Sequence, residues 1–107
     1  MDDDDIRDMF EPEGVVSIRR MFGGKGVYVD GVIVAVEVDD RLLLKADALT
    51  APQFAAAGSV QWTYTGKSGG VARMPYWTLP DEALDDDDRR THWARIAIAA
   101  GRRAKRG

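Results

Sequence analysis

The sequence predicts an α+β fold, in which helices flank one antiparallel sheet of five to six strands. Val27-Tyr28-Val29 and Val32-Ile33-Val34 flank Asp30-Gly31, a strong short signal for a tight β-hairpin. Other runs alternate apolar with polar residues, as half-buried strands do, and the C-terminal segment repeats apolar residues at helical spacing. Short connections between strands favour antiparallel pairing. The predicted order is one helix, three or four strands, a second helix, two strands and a last helix.

The first half of the chain contains the first helix and a meander of strands. We predict the helix over residues 5–10, where Pro12 and Gly14 follow, and a strand over residues 15–20. A glycine-rich segment then interrupts the pattern before the hairpin. The strand after the hairpin continues to Val38, and Asp39-Asp40 turns the chain into a strand over residues 41–45.

The second half begins with a helix over residues 49–57, capped by Asp47 or Thr50. Strands follow over residues 60–65 and 71–77, and Pro75 predicts an edge or a bend at the end of the second. A single turn over residues 80–84 leads to the last helix, residues 86–103. Its predicted apolar stripe is Trp93, Ile96, Ala97, Ala100 and Ala104.

Length and composition indicate one domain over residues 1–107. Hydrophobic residues make up 45% and charged residues 31%, which is typical of a folded chain. The absence of cysteine excludes disulfides, thiolate metal sites and a cysteine nucleophile. No apolar run approaches the roughly 20 residues of a membrane span, and the acidic N-terminus is unlike a signal peptide. We therefore expect a cytoplasmic protein with no membrane contact.

Charge is distributed unevenly along the chain. The net charge is −3, with acid concentrated in residues 2–5 and 85–88 and base in residues 102–106. Domains that bind nucleic acid by themselves are usually basic, because phosphate neutralisation supplies most of the affinity. The composition thus argues against strong autonomous binding to nucleic acid and leaves weak or indirect contact open.

Three features resemble catalytic or ligand sites, and each has a simpler explanation. Gly23-Gly24-Lys25-Gly26 lacks the spacing and the Ser or Thr of a phosphate-binding loop, so we predict a bend or bulge between strands. The acids at 85–88 do not match a calcium loop and suit a helix start. His92 has no recognisable nucleophile or acid to complete a triad. We predict no enzyme, no catalytic residue, no metal and no cofactor.

Two segments place large apolar groups beside a predicted bend. They are Arg19-Arg20-Met21-Phe22 and Met74-Pro75-Tyr76-Trp77, and their residue types are enriched at protein interfaces. The alternative is that their aromatic side chains close the end of the core. The candidate partner surface is Arg19, Arg20, Phe22, Lys25, Arg73, Tyr76 and Trp77.

The same segments carry a resemblance to a known family. The runs are Arg19-Arg20-Met21-Phe22-Gly23-Gly24, Gly26-Val27-Tyr28-Val29-Asp30-Gly31, Leu44-Lys45-Ala46-Asp47, Phe54 with Ala57-Gly58, Met74-Pro75-Tyr76-Trp77 with Leu79-Pro80, Leu84-Asp85-Asp86, and Trp93-Ala94. Together they resemble the TfoX N-terminal domain (Sxy) family. The resemblance implies a secretion-chaperone-like α+β fold and a role among bacterial regulators of DNA-uptake competence. It implies no catalytic residues.

The resemblance also sets expectations about partners. Sxy-type regulators are thought to assist the cyclic-AMP receptor protein at promoters, and they carry a second, C-terminal helical domain that a chain ending at Gly107 would lack. We expect a stand-alone regulatory module that binds a protein partner, with homodimerisation left open. One alternative is weak nucleic-acid binding through Arg19, Arg20, Arg73 and the basic C-terminus. Another is an unrecognised enzyme or small-ligand binder.

Overall fold

The computed structural model describes residues 1–21 and 23–106 and shows one six-stranded antiparallel sheet with helices against it. In chain order the elements are α1 Asp3–Phe10, β1 Val16–Met21, β2 Gly24–Val29, β3 Val32–Val38, β4 Arg41–Lys45, α2 Ala51–Ala56, β5 Gln61–Thr65, β6 Val71–Thr78 and α3 Asp87–Arg106. Short 3₁₀ turns, Glu11–Glu13 and Asp81–Ala83, precede β1 and α3. The strand order is β1-β2-β3-β4-β6-β5. The predicted fold class and element order are confirmed.

Two tight turns hold the central meander together. Asp30 and Gly31 have φ of 51° and 81°, and Asp39 and Asp40 have φ of 52° and 62°. Two successive left-handed residues match the right-handed twist of the strands that they join. Asp30 also accepts a hydrogen bond at 2.9 Å from the backbone N–H of Val15, so the turn is tied to the start of β1.

The glycine-rich segment differs from its prediction. Gly24 and Gly26 lie inside β2, paired with Met21 and Arg19 of β1. A β-carbon on Gly24 would collide with the carbonyl oxygen of Glu37, so the close approach of β3 requires glycine at this position. The irregularity in the β2–β3 register lies further along, between Val27 and Tyr28.

The main core lies between the sheet and the helices. α3 crosses β3 and β4, and α1 packs on α3 and β1. Phe54 from α2 is fully buried, with its ring centroid 4.7 Å from that of Trp93 and 6.3 Å from that of Trp77. All three helices therefore lie on one side of the sheet, which we call the helix side.

The buried face of α3 is wider than the predicted stripe. It comprises Trp93, Ala94, Ala97, Ile98, Ala100 and Gly101. Ala104 is exposed, and Ile96 is only partly buried. The physical reason is that α3 contacts α1 as well as the sheet, so two neighbouring stripes are covered. No helix in the described part of the chain is long and apolar enough to cross a membrane.

Pro75 lies in a strand that is not at the edge of the sheet, because β6 runs between β4 and β5. The β5–β6 register is irregular between Gln61 and Thr63, close to this proline. The strand pairing at this point therefore does not require the backbone N–H that proline lacks. The carbonyl oxygen of Pro75 accepts a hydrogen bond at 2.9 Å from the N–H of Ala46. The prediction of a bend is therefore closer to the structure than that of an edge.

Asp47 joins the loop before α2 to the end of α3. Its carboxylate accepts hydrogen bonds from Arg103 at 2.6 Å and 3.1 Å and from the N–H groups of Leu49 and Thr50. The Arg103 guanidinium lowers the pKa of the Asp47 carboxyl, and the two backbone N–H groups lower it further. Both side chains remain partly exposed, so solvent weakens the pair.

Replacing Asp47 by asparagine is expected to cost about 1 kcal/mol of folding free energy at neutral pH. A carboxyl whose pKa is lower in the folded state stabilises the fold above its unfolded pKa and loses this contribution as the pH falls. The stability difference between the wild type and Asp47→Asn should therefore shrink in acid. Urea unfolding of both proteins across the acidic range measures it, and a difference that stays constant with pH would contradict the assignment.

Candidate functional site

A second hydrophobic cluster lies on the side of the sheet opposite the helices. Its buried members are Val36, Leu43 and Tyr76, and its partly buried members are Met21, Ile33, Val38, Trp62 and Met74. Every one of these residues belongs to a strand, and among the described residues no helix contributes to the cluster. We call this strand-only surface the open face.

Strand register assigns further side chains to the open face. Residues directly opposite each other in an antiparallel pair lie on the same side of the sheet. Arg41 is opposite Val38, Lys45 is opposite Tyr76, and Tyr64 lies two residues after Trp62. Along β1 and β2, the same alternation places Arg19 and Tyr28 on this face.

Two of the cations on the open face lie against aromatic rings. The guanidinium carbon of Arg19 is 5.1 Å from the ring centroid of Tyr28, and Nζ of Lys45 is 5.1 Å from that of Tyr76. Tyr76 is only 7% exposed, and its burial raises the pKa of its hydroxyl. The open face thus combines an apolar centre with fixed positive charges.

A depression of about 240 Å³ opens on this face beside the β3–β4 turn. Val38, Leu43 and Trp62 supply apolar walls, and Arg41 lies at the same depression. Asp39, in the turn, is the one carboxylate among its described lining residues. The depression offers a recess for an apolar side chain next to a guanidinium.

The candidate partner residues are divided between the two sides of the sheet. Arg19 and Tyr76 are on the open face, whereas Trp77 faces the helix side and packs on Phe54. Nζ of Lys25 is 2.6 Å from the Asp3 carboxylate of α1, and this hydrogen bond raises the pKa of the lysine. These side chains therefore do not form one continuous surface.

Two further candidate residues, Arg20 and Arg73, lie towards the ends of strands. Arg20 is exposed near the end of β1, and Arg73 is exposed in β6 opposite Thr63 of β5. Phe22 lies outside the described residues. Among the described residues, no ion pair or cation–π contact joins Arg20 or Arg73 to Arg19 or Tyr76.

Sequence reasoning missed several open-face residues, namely Tyr28, Val38, Arg41, Leu43, Lys45 and Trp62. The signal that could have found them is the two-residue period of their strands, because Arg41, Leu43 and Lys45 alternate in one run and Trp62 with Tyr64 in another. Which of the two faces is left uncovered depends on where the helices pack, and that is not visible in the strand pattern.

A larger cavity, about 720 Å³, lies at the β1–β2 hairpin. Arg20 and Lys25 line it together with three acids, Glu37, Asp39 and Asp40. Strand β2, not a helix, follows the glycines, so the arrangement differs from a phosphate-binding loop. The mixture of both charges gives a phosphate no net attraction.

The acidic segment before α3 starts that helix. The Asp86 carboxylate accepts a hydrogen bond at 3.1 Å from the N–H of Arg89, as an N-terminal cap does. Within residues 1–21 and 23–106, no group of histidine and acidic side chains has the geometry of a metal site. His92 is exposed, with its ring edge-on to Trp93.

Comparisons with known proteins place the chain in a family. No curated protein matches it. Among protein families, the TfoX N-terminal domain matches residues 8–101, a span that runs from α1 into α3 and includes all six strands. The match covers nearly the whole chain and confirms the resemblance seen in the sequence motifs. The chain therefore belongs to the TfoX N-terminal domain family.

Proposed function

We propose that this domain is a non-catalytic regulatory module that acts by binding a protein partner on its open face. The observation that carries the proposal is the second hydrophobic cluster, which in the part of the chain that the structure describes consists of strand residues alone and has no helix over it. The family supports a regulatory role. We further propose that the role lies in transcription or competence, with a transcription factor such as the cyclic-AMP receptor protein as the class of partner.

The chemistry of the open face fits a protein interface. Methionine, tryptophan, tyrosine and arginine are enriched at such interfaces, and the open face presents Met21, Met74, Trp62, Tyr64 and Arg41. Covering apolar area releases roughly 25 cal/mol per Å², before the costs of association. A partner that covers the part-exposed cluster would gain this energy.

The shape of the open face adds to this argument. Tyr76 and Leu43 are already buried at its centre, while Tyr64, in the edge strand β5, remains 58% exposed. Interface energy usually concentrates in a few well-packed central residues surrounded by a rim that excludes water. On the helix side, by contrast, the apolar side chains of the main cluster are used in packing α1, α2 and α3 against the sheet.

Affinity capture from the native cell with the full chain as bait tests the proposal. Tyr64→Asp places a charge on the open face, and Leu49→Asp is the matched control, because Leu49 is 69% exposed beside α2. Both variants should fold, since neither side chain is buried. We expect Tyr64→Asp to lose a partner that the wild type and Leu49→Asp both retain.

If every protein captured by the wild type is captured in the same amount by Tyr64→Asp, the open face is not the docking surface. Circular dichroism of the purified variants confirms that any loss of capture does not come from unfolding.

A further inference from the structure

We infer that the open face accepts an acidic segment of the partner, anchored by one bulky apolar side chain in the depression beside Arg41. This inference rests on the proposed function, because it assumes that a protein binds this face. It adds the chemistry of that partner.

The strands contribute charge of only one sign to the open face. The charged side chains that strand register places there are Arg19, Arg41 and Lys45, all cationic. Within the described residues 1–21 and 23–106, none of the three has a carboxylate within ion-pair distance. Their positive charge is available to a partner.

The helix side shows the opposite arrangement. Lys25 pairs with Asp3 and Arg95 with Glu13, each at 2.6 Å, and Arg103 pairs with Asp47. The acidic runs of the chain lie at the starts of α1 and α3 and not in the strands of the open face. The domain is acidic overall, yet this face attracts negative charge. Complementary charge of this kind speeds the encounter with an acidic partner and fixes how the partner is aligned on the face.

The depression supplies the apolar half of the recognition. Val38, Leu43 and Trp62 line a recess of about 240 Å³, and Arg41 lies beside them. An apolar side chain in this recess would hold the neighbouring residues of its own segment near the guanidinium. Asp39 lies at the turn end of the recess, so the acidic residues of the partner should run away from it, towards Lys45.

Single-stranded nucleic acid fits the same face less well. In proteins that bind single-stranded nucleic acid, the bases stack on exposed aromatic side chains. Here Arg19 lies over the Tyr28 ring, Lys45 lies over the Tyr76 ring, and Tyr76 is almost fully buried. The Tyr28 and Tyr76 rings are thus covered by cations, whereas the recess between Val38, Leu43 and Trp62 suits a side chain such as leucine.

Three synthetic peptides of equal length test the inference against the full chain. All alternate leucine with one polar residue, which is aspartate in the first, asparagine in the second and lysine in the third. Fluorescence anisotropy gives their affinities, and amide chemical shifts in NMR locate binding. We expect the aspartate peptide to bind about tenfold more tightly than the asparagine peptide, with the advantage falling as salt rises.

Matched charge variants assign the effect to this face. Arg41→Glu should remove the advantage of the aspartate peptide. Lys67→Glu, which makes the same change in the exposed loop after β5, should leave it intact. Shifted amides should belong to the strands around the depression, β3 to β6.

Several results would overturn the inference. Equal binding of the aspartate and asparagine peptides would do so, as would an unchanged advantage in Arg41→Glu. Competition by oligothymidylate for the same amides would favour nucleic acid instead, and self-association through these strands in sedimentation would favour a second copy of the chain. If the peptides fail while capture still depends on Tyr64, the docking face stands and only the acidic chemistry is wrong.

Discussion

Replacing Phe54 by alanine is expected to lower the free energy of unfolding by about 3–5 kcal/mol. Phe54 is 0% exposed and is the buried residue of α2, a helix of only six residues. Its ring packs between Trp93 of α3 and Trp77 of β6. Alanine would leave a cavity where α2, α3 and β6 meet. Because small domains are stable by only about 5–15 kcal/mol, the loss is a large fraction of the total.

Urea unfolding followed by tryptophan fluorescence measures this loss directly, since two of the three tryptophans border the cavity. Gln53→Ala is the control, because Gln53 is an exposed neighbour in the same helix and should change stability by less than about 0.5 kcal/mol. A Phe54→Ala protein as stable as Gln53→Ala would show that α2 does not close the core.

Introducing valine at Gly101 is expected to destabilise the domain by about 1–3 kcal/mol. A β-carbon there would lie 2.7 Å from the carbonyl oxygen of Ile33 and 3.2 Å from a methyl carbon of Val32. The backbone of α3 therefore approaches β3 so closely that only a hydrogen atom fits between them. Neither neighbour moves easily, because one is backbone and the other is a β-branched side chain.

Ala104→Val in the same helix separates crowding from helix propensity. Ala104 is exposed, so valine there costs only its lower propensity, about 0.5 kcal/mol. Thermal or urea unfolding of the two variants gives the comparison. If Gly101→Val were as stable as Ala104→Val, the close approach of α3 to β3 would be refuted.

The sequence predicted local structure well where one chemical feature decides it. The Asp30-Gly31 turn, the alternation in β3 and β4 and the acidic start of α3 each follow from residues close together in the chain. Gly101 could not be interpreted in this way, because its role depends on how closely a helix approaches a strand far away in the sequence. The same holds for Gly24, which the glycine run suggested was part of a bend.

For the candidate partner surface, the sequence does not show which side of the sheet each residue faces. The sequence motif groups Tyr76 with Trp77 because they are adjacent, yet adjacent strand residues point to opposite sides of a sheet. Tyr76 accordingly lies on the open face and Trp77 in the core beneath the helices. Deciding which side is left open requires the packing of all three helices, and this is tertiary information.

Affinity capture with Tyr64→Asp beside Leu49→Asp shows whether this domain meets a protein partner on its open face. We expect a partner retained by wild type and Leu49→Asp to be depleted about tenfold or more by Tyr64→Asp, the loss expected from removing a contact of interface strength. Equal recovery of every partner from the two folded variants would contradict it.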